Sequence, residues 1–535
     1  MKTMISSIIL ASCLALPLAS CSDSDAAPEQ KDWSTTTYFY SADAAMQDTY
    51  YKPTVGYVGD PMPFFDPVAG DFKVLYLQDF RPNPEGTYHP IWGVSTKDAA
   101  HYTSLGELVS CGTKKSQDAA IGTGSTIYDE ASKLYYTFYT GNKYLPTGDE
   151  SAQAVMVATS SDFKTWTKDR TFLLKGQDFG YDKTDFRDPF VFKGDDGKFH
   201  MLVSTKKGGK GSLAEFVSDD LKNWTDNGVF MTMMWDRFYE CPDLFKMGDY
   251  WYLVYSEIHH AIRRVQYFKG RTLDELRACT ANDAGRWPDA HEGFLDSRGL
   301  YAGKTASDGT NRYLWGWCPT RSGKDNTAVG ASPAEPEWGG NLVCYKLIQH
   351  EDGTLTLGQV DAVSEKYNQD VAVEVKESQN MTEADGTYTL AGKAQQPDAY
   401  MLMGRLGNHN KISFTVTTSN EWDKFGISMV RGSDSKKYYT MVVNPENEND
   451  RKINFEEQGV EGKGFIAGID GYVFARPADN VYNITIYTDN SICVMYINDV
   501  CSYTNRIYGI QKNCWSINSY NGANVKISNL QISQY

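Results

Sequence analysis

Three acids in the 535-residue chain occupy short segments of similar make-up. Gly59-Asp60-Pro61-Met62-Pro63-Phe64, Phe186-Arg187-Asp188-Pro189-Phe190-Val191 and Glu240-Cys241-Pro242-Asp243-Leu244-Phe245 each set an acid one or two residues ahead of a proline, followed by an apolar run. A lone acid in such a place is ordinarily a cap, a turn residue or a solvated charge. Three at matching places of a repeated unit are different, because burying uncompensated carboxylates together is costly and folding supplies no motive for it. Two carboxyl groups flanking a sugar can hydrolyse a glycosidic bond. One attacks the anomeric carbon or activates water, and the other protonates the leaving oxygen. A third raises the proton donor's pKa by like-charge repulsion, or grips ring hydroxyls. This chemistry calls for no metal or cofactor, and none is expected: no cysteine or histidine cluster has metal-ligand spacing. The 8 histidines are scattered, and His259-His260 reads as ordinary surface or core histidine.

The elements that must position these acids follow from an internal repeat of about 60 residues. Five times a polar turn precedes an apolar or aromatic run. Gly70-Asp71 precedes Lys73–Leu77, Ser132-Lys133 precedes Leu134–Tyr139, and Asp195-Asp196-Gly197 precedes Phe199–Val203. Gly248-Asp249 precedes Tyr250–Tyr255, and Asp308-Gly309-Thr310 precedes Tyr313–Trp317. Such turns between strand-like runs signal hairpins. Ser160–Trp166 echoes Ser218–Trp224, with Ser95–Asp98 a weaker copy, as turns toward an outer strand. Five hairpin-centred units predict a five-bladed β-propeller over residues 45–350. The segment ahead of each turn is the expected inner strand. Counting back from the hairpins aligns Asp188, Glu240, Gly124 and Tyr301, with Asp60 slightly further out, so the three acids are expected to meet at one end of the central channel. Residues 351–370 read as a connection. Over 371–535, period-two runs such as Lys411–Val416, Tyr482–Tyr487 and Ile492–Ile497 predict a β-sandwich. The fold class is therefore all-β.

The first 21 residues read as a targeting segment. Lys2 precedes an apolar stretch, and Leu18-Ala19-Ser20-Cys21 resembles a bacterial lipobox in which Cys21 is lipidated. Ser22-Asp23-Ser24-Asp25 follows, like the surface-export signal of some Gram-negative lipoproteins, and residues 22–44 read as a linker. The expected location is the outer membrane, at the cell surface or in the periplasm, with the lipid as the only membrane contact. A net charge of −16 argues against nucleic acid and anionic membrane and suits a neutral substrate. Carbohydrate is the expected ligand, and other surface glycan-uptake proteins are candidate partners. An aromatic content of 13% fits both β-core packing and sugar stacking. The remaining cysteines have irregular spacing and read mostly as buried thiols. A bridge among Cys493, Cys501 and Cys514 stays open.

These segments resemble glycoside hydrolase family 32, the invertase, inulinase and levanase family. The resemblance covers nearly all of the expected mature chain and implies a five-bladed propeller followed by a β-sandwich. It implies that Asp60 is the nucleophile of a retaining reaction on fructosyl linkages, that Asp188 of the unchanged Arg-Asp-Pro motif stabilises the transition state, and that Glu240 of the Glu-Cys motif is the acid/base. Arg187 would hold the acids. Gln78 would serve near the nucleophile after a shift in register. Ser125 and Tyr301, with Trp92 and Trp315 as stacking walls, complete the expected substrate contacts, although blade packing explains the two tryptophans equally well. Tyr301-Ala302, Trp338-Gly339-Gly340-Asn341 and Thr504–Tyr508 resemble further family stretches. Gly59 and Met62 depart from the asparagines that usually flank the nucleophile, which marks a divergent branch. Two alternatives stay open: an inverting arabinan- or xylan-type propeller enzyme, and a non-catalytic surface glycan-binding lipoprotein. Loops 83–89, 143–150 and 322–337 are expected to decide endo against exo cleavage.

Overall fold

A computed structural model describes residues 49–535 apart from 81–87, 234–237, 258–263, 280–291, 322–335, 432–436, 446–451, 457–471, 474–475, 508–509 and 511–512. The targeting segment, Cys21, the linker, His259-His260 and most of two channel-mouth loops lie outside the described residues.

The first half is built of antiparallel sheets in chain order. β1 (Tyr57–Asp66), β2 (Asp71–Asp79), β3 (Ile91–Thr96) and β4 (Thr103–Val109) pair in succession. Three separate four-stranded sheets follow: β5 (Ala120–Asp129) to β6 (Leu134–Asn142), β7 (Gln153–Ser160) and β8 (Thr167–Lys168); β9 (Phe186–Lys193) to β10 (Phe199–Lys207), β11 (Lys210–Ser218) and β12 (Thr225–Thr232); β13 (Glu240–Met247) to β14 (Tyr250–Glu257), β15 (Arg264–Gly270) and β16 (Glu292–Phe294). β17 (Tyr301–Ser307), β18 (Arg312–Arg321), β19 (Pro336–Gln349) and β20 (Leu355–Gly358) end the series, and β19 pairs with β1 at Val58–Gly340, so this group and the first form one eight-stranded sheet. The leading strands touch in a closed circuit, β1 to β5 to β9 to β13 to β17 and back to β1.

Every hairpin expected from the repeat is present, and the turn chemistry explains why. Asp66 accepts the amides of Val68 and Ala69 at the β1–β2 turn. The echoing segments share one device. Asp98, Asp162 and Asp220 each accept two backbone amides two and three residues on. Ala99, Phe163 and Leu221 adopt φ of 59°, 59° and 63° beside them. The second strands are buried on both faces, which is why they read as nearly unbroken aromatic runs.

One boundary differs from expectation. The stretch 351–370 contains β20, paired with β19, and a short helix, Asp361–Lys366. Its polar start, Glu351-Asp352-Gly353, is a hairpin turn, with Gly353 at φ 79° and its amide bonded to the His350 carbonyl.

The second half packs two antiparallel sheets face to face. One runs Met381–Ala384, Thr387–Ala391, Asn524–Gln534, His409–Thr418, Val481–Asp489, Ile492–Ile497, Cys501–Arg506, with Gln369–Val371 added on Asn524–Gln534. The other runs Val375–Gln379, Ala399–Arg405, Cys514–Ser519, Phe425–Arg431, Lys437–Asn444, Lys452–Glu456, Tyr472–Val473. Met401, Ile412, Phe414, Ile427, Ile484 and Trp515 fill the space between them. The predicted alternation is visible in His409–Thr418, whose burial alternates strictly. No disulfide joins Cys493, Cys501 and Cys514.

Candidate active site

Each leading strand carries a register break at the same depth. The breaks lie between Gly59 and Met62, between Gly122 and Gly124, opposite Leu202–Ser204 at Arg187–Phe190, between Glu240 and Asp243, and between Tyr301 and Lys304. These are β-bulges, which re-aim side chains at the end of a sheet. Asp60, Asp188, Cys241 and Ala302 take positive φ there (22°, 58°, 51° and 52°), in the region that L-residues seldom adopt. Register therefore makes Asp60, Thr123, Asp188, Cys241 and Ala302 equivalent. Gly59, Gly122, Arg187, Glu240 and Tyr301 sit one residue earlier. This corrects the alignment of Asp188, Glu240, Gly124 and Tyr301, because counting from the hairpins assumes equal turns, whereas the turn after Met247 is shorter and the turn after Lys193 longer than the others. The acids come from two successive positions, not one.

The two positions interlock. Thr123 Oγ1 donates to Asp60 Oδ2 (2.6 Å), and the indole of Trp317 donates to Asp60 Oδ1 (3.0 Å). The Cys241 amide donates to Asp188 Oδ2 (2.9 Å), while its thiol lies 3.8 Å from Thr123 Oγ1. Glu240, adjacent in the chain, accepts from Arg187 on Oε1 (3.0 Å) and from the Tyr301 hydroxyl on Oε2. Arg187 is held in turn by Asp185 (2.7 Å), by Gln153 (3.3 Å) and by the face of Phe238, 3.8 Å from the guanidinium carbon. Asp60 and Glu240 remain partly accessible, whereas Asp188 is 4% exposed. The three acids thus share one connected cluster with an open side.

Burial dominates the electrostatics. It raises the Asp60 pKa, against the hydrogen bonds from Thr123 and Trp317, and the Glu240 charge raises it further. Burial lifts Asp188 to about 6; Arg187 opposes this, the charges of Glu240 and Asp60 add to it, and the Cys241 amide opposes it. Burial works against the Arg187 cation, but the charges of Asp188 and Glu240 outweigh it and raise its pKa. The arrangement offers an ionisable group beside a second carboxyl group held by two donors, which suits acid/base and nucleophilic work on a neutral substrate.

The expected contacts divide. Tyr301 and Arg187 join the cluster. Ser125 does not face it as a sugar ligand: its hydroxyl donates to the Pro189 carbonyl (2.9 Å) and accepts the Val191 amide (2.8 Å), tying β5 to β9. Gln78 is fully buried and its side-chain amide donates to the Val55 carbonyl. Trp92 packs on Phe80 and Val55. Trp315 is fully buried, packs on Phe72 and Tyr313, and donates its indole N–H to Tyr102 (3.2 Å). Packing thus accounts for Trp92 and Trp315; the tryptophans beside the acids are Trp317, itself fully buried, and Trp338. Trp317, two residues along β18, pairs with Tyr301 beside the bulge and reaches Asp60. Trp338 lies over Gly59 and stacks on His89, with ring centroids 4.0 Å apart. The prolines were the available signal for the bulges, since Pro61, Pro189 and Pro242 stand inside strands where proline is confined to edges and bulges.

Comparison with known proteins bears on the family and the fold. Residues 50–359 match the glycosyl hydrolases family 32 N-terminal domain, and residues 353–532 match the GH32, BT1760-like, C-terminal domain. The insoluble β-fructofuranosidase isoenzyme CWINV2 of Arabidopsis thaliana is 26% identical over 310 residues, covering 52% of this chain and 50% of that protein. The sucrose-6-phosphate hydrolase of Vibrio alginolyticus is 25% identical over 237 residues, covering 42% and 45%. The chain spans about half the length of the curated relatives it matches. Among solved structures, fructan 1-exohydrolase IIa of Cichorium intybus superposes with a TM-score of 0.67 at 16% identity, covering 91% of this chain and 97% of that one. The exo-inulinase of Aspergillus awamori does so with a TM-score of 0.67 at 16% identity, covering 91% and 98%. These likenesses are of fold. With its N-terminal domain model matched over more than half of its length and its acids gathered at one mouth, the chain belongs to glycosyl hydrolase family 32.

Proposed function

We propose that this protein is a retaining β-fructosidase that hydrolyses fructosyl linkages. The observation that carries the reading is the connected path Asp60–Thr123–Cys241–Asp188, with Glu240 next in the chain to Cys241 and pinned by Arg187 and Tyr301. Asp60 attacks fructosyl C2 while Glu240 gives its proton to the departing oxygen. Water, deprotonated by Glu240, then cleaves the fructosyl–Asp60 ester and restores both groups. Asp188, buried and oriented by the Cys241 amide, accepts hydrogen bonds from fructose hydroxyls.

The frame for this chemistry is a five-bladed propeller in which the eight-stranded sheet is two blades joined edge to edge; the closed circuit of leading strands supports that reading. Its end is taken at Gly358, beyond the expected boundary of 350, with the sandwich from 371 to 535. The motif Leu18–Cys21 supports a lipid anchor on Cys21 in the outer membrane. Cys21→Ser should move the protein from the membrane to the soluble fraction.

The test of function is incubation with sucrose, inulin, levan and arabinan. Fructose release is expected, with proton NMR reporting retention at C2. Asp60→Asn and Glu240→Gln should each lower turnover at least a hundredfold. Cleavage of arabinan alone, inversion, or full activity of either variant would overturn the assignment.

A further inference from the structure

Three residues after Tyr301, β17 places a lysine inside the molecule. Lys304 is 2% exposed. It pairs with Trp315 across the bulge, and its ammonium donates to the Gly124 carbonyl (2.8 Å), the residue after the Thr123 that holds Asp60. The ammonium also lies 5.3 Å from the centre of the Phe190 ring, two residues past Asp188. Its anchors are therefore the bulges of β5 and β9, the strands that carry Thr123 and Asp188. The ionisable groups whose charges act on it are Cys241 and Asp243 from β13, Asp188 from β9 and Asp60 from β1. Asp243 is also engaged by the Thr305 amide (2.7 Å) and hydroxyl (2.6 Å) and by the nearby charge of Arg312, so that Lys304 is one of several groups that compensate it. A buried ammonium is expensive unless anions compensate it. The groups able to compensate Lys304 include two of the three acids of the site.

We propose that Lys304 is the fixed counter-charge beneath the carboxylate cluster, and that it favours the ionised form of Asp60 and Asp188 in the reaction assigned above. It is a positioning residue, touching no substrate. Burial alone pushes both acids toward the protonated form, in which Asp60 cannot attack carbon. A cation placed under them opposes that cost without occupying the sugar's space. Arg187 serves the outer face, through Glu240; Lys304 serves the inner face.

The test compares Lys304→Met and Lys304→Gln with Lys304→Arg, using kcat/KM against pH on whichever fructoside the unsubstituted protein cuts, and urea unfolding at pH 5 and 8. The neutral variants are expected to move the acid limb up by about one pH unit, so that activity at pH 5 falls about tenfold more than activity at pH 8. Lys304→Arg should keep the limb in place even if kcat drops. Unfolding should show stability falling more between pH 5 and 8 in the neutral variants than in the unsubstituted protein. That arm needs no substrate, so it reads Lys304 even if the fructosidase assignment fails. Neutral variants that fold at pH 5 and not at pH 8 support the proposal for the same reason. An unmoved acid limb, an equal shift in Lys304→Arg, or failure of the neutral variants to fold at either pH would overturn it.

Discussion

Gly59 stands beside Asp60 because Trp338 occupies the space a side chain would need: a Cβ there would meet the indole ring at 2.2 Å. Met62, the other departure from the family pattern, is buried and accepts the Gly124 amide on its sulfur (3.1 Å). Where the family pattern has polar groups beside Asp60, this chain thus has an aromatic wall and a packed thioether. Gly59→Asn should expel Trp338 and lower kcat/KM about tenfold or more, mainly through KM, while the circular dichroism spectrum stays unchanged. Asp188 yields a prediction with a definite sign. Its folded pKa of about 6 lies above the ordinary 3.8. The native state therefore favours the protonated acid, a contribution complete below the unfolded pKa and lost as pH rises to about 6. Asp188→Asn, neutral at every pH, should abolish activity yet gain roughly 3 kcal/mol of stability at pH 7.5 relative to pH 4, read by urea unfolding.

At the scale of elements, the β-bulge converts ordinary strands into a site. It inserts one residue at the same depth in each leading strand, so that two successive side chains present themselves at the mouth. The strands were legible from turn signals and apolar runs, because hairpins are local. The bulges were not, since a single positive φ leaves no periodic trace; only the prolines hinted at them. Ala302 shows the cost of the device, with φ 52° and no exposure. Ala302→Val should lose about 2 kcal/mol or more, since a β-branched residue tolerates the left-handed region poorly. It should also reduce kcat through the displaced Tyr301. Ala302→Gly should leave both nearly unchanged. Unfolding midpoints and initial rates on the same preparations check the pair.

At the scale of the molecule, the sandwich braces the ring of sheets. Tyr487, Ile492, Val494 and Tyr496 share one apolar cluster with Val343, Tyr345, Leu355 and Leu357. Asp296, just before β17, accepts from the Thr504 amide (2.8 Å), the Thr504 hydroxyl (2.8 Å) and the Ser502 hydroxyl (2.9 Å). Arg506 reaches the other way, donating to the carbonyls of Cys318 (2.9 Å) and Pro319 (3.1 Å) and to Asn341 (2.6 Å). Those carbonyls directly follow Trp317, whose indole holds Asp60. Arg506→Met leaves several buried acceptors without a donor and should cost about 3–5 kcal/mol. If the brace matters to the site, kcat should fall at temperatures well below the lowered melting midpoint, as measured by rates at 15 °C beside a thermal scan.

The amino-acid sequence determined the repeat, the strands, the alternating texture of the second half and the three acids, because turn chemistry, periodicity and side-chain type are local properties. The motifs Asp60-Pro61, Arg187-Asp188-Pro189 and Glu240-Cys241 carried the family with them. Which neighbours attend the acids was decided only in three dimensions. Trp315 and Trp317 differ by two residues on one strand and are equally buried, yet one donates to Tyr102 and the other to Asp60, since distance from the bulge sets the neighbours of each. Thr123, Trp338 and Lys304 enter the site from three other stretches of chain. Their proximity depends on closure of the ring between β17 and β1, a long-range event that no window of sequence records.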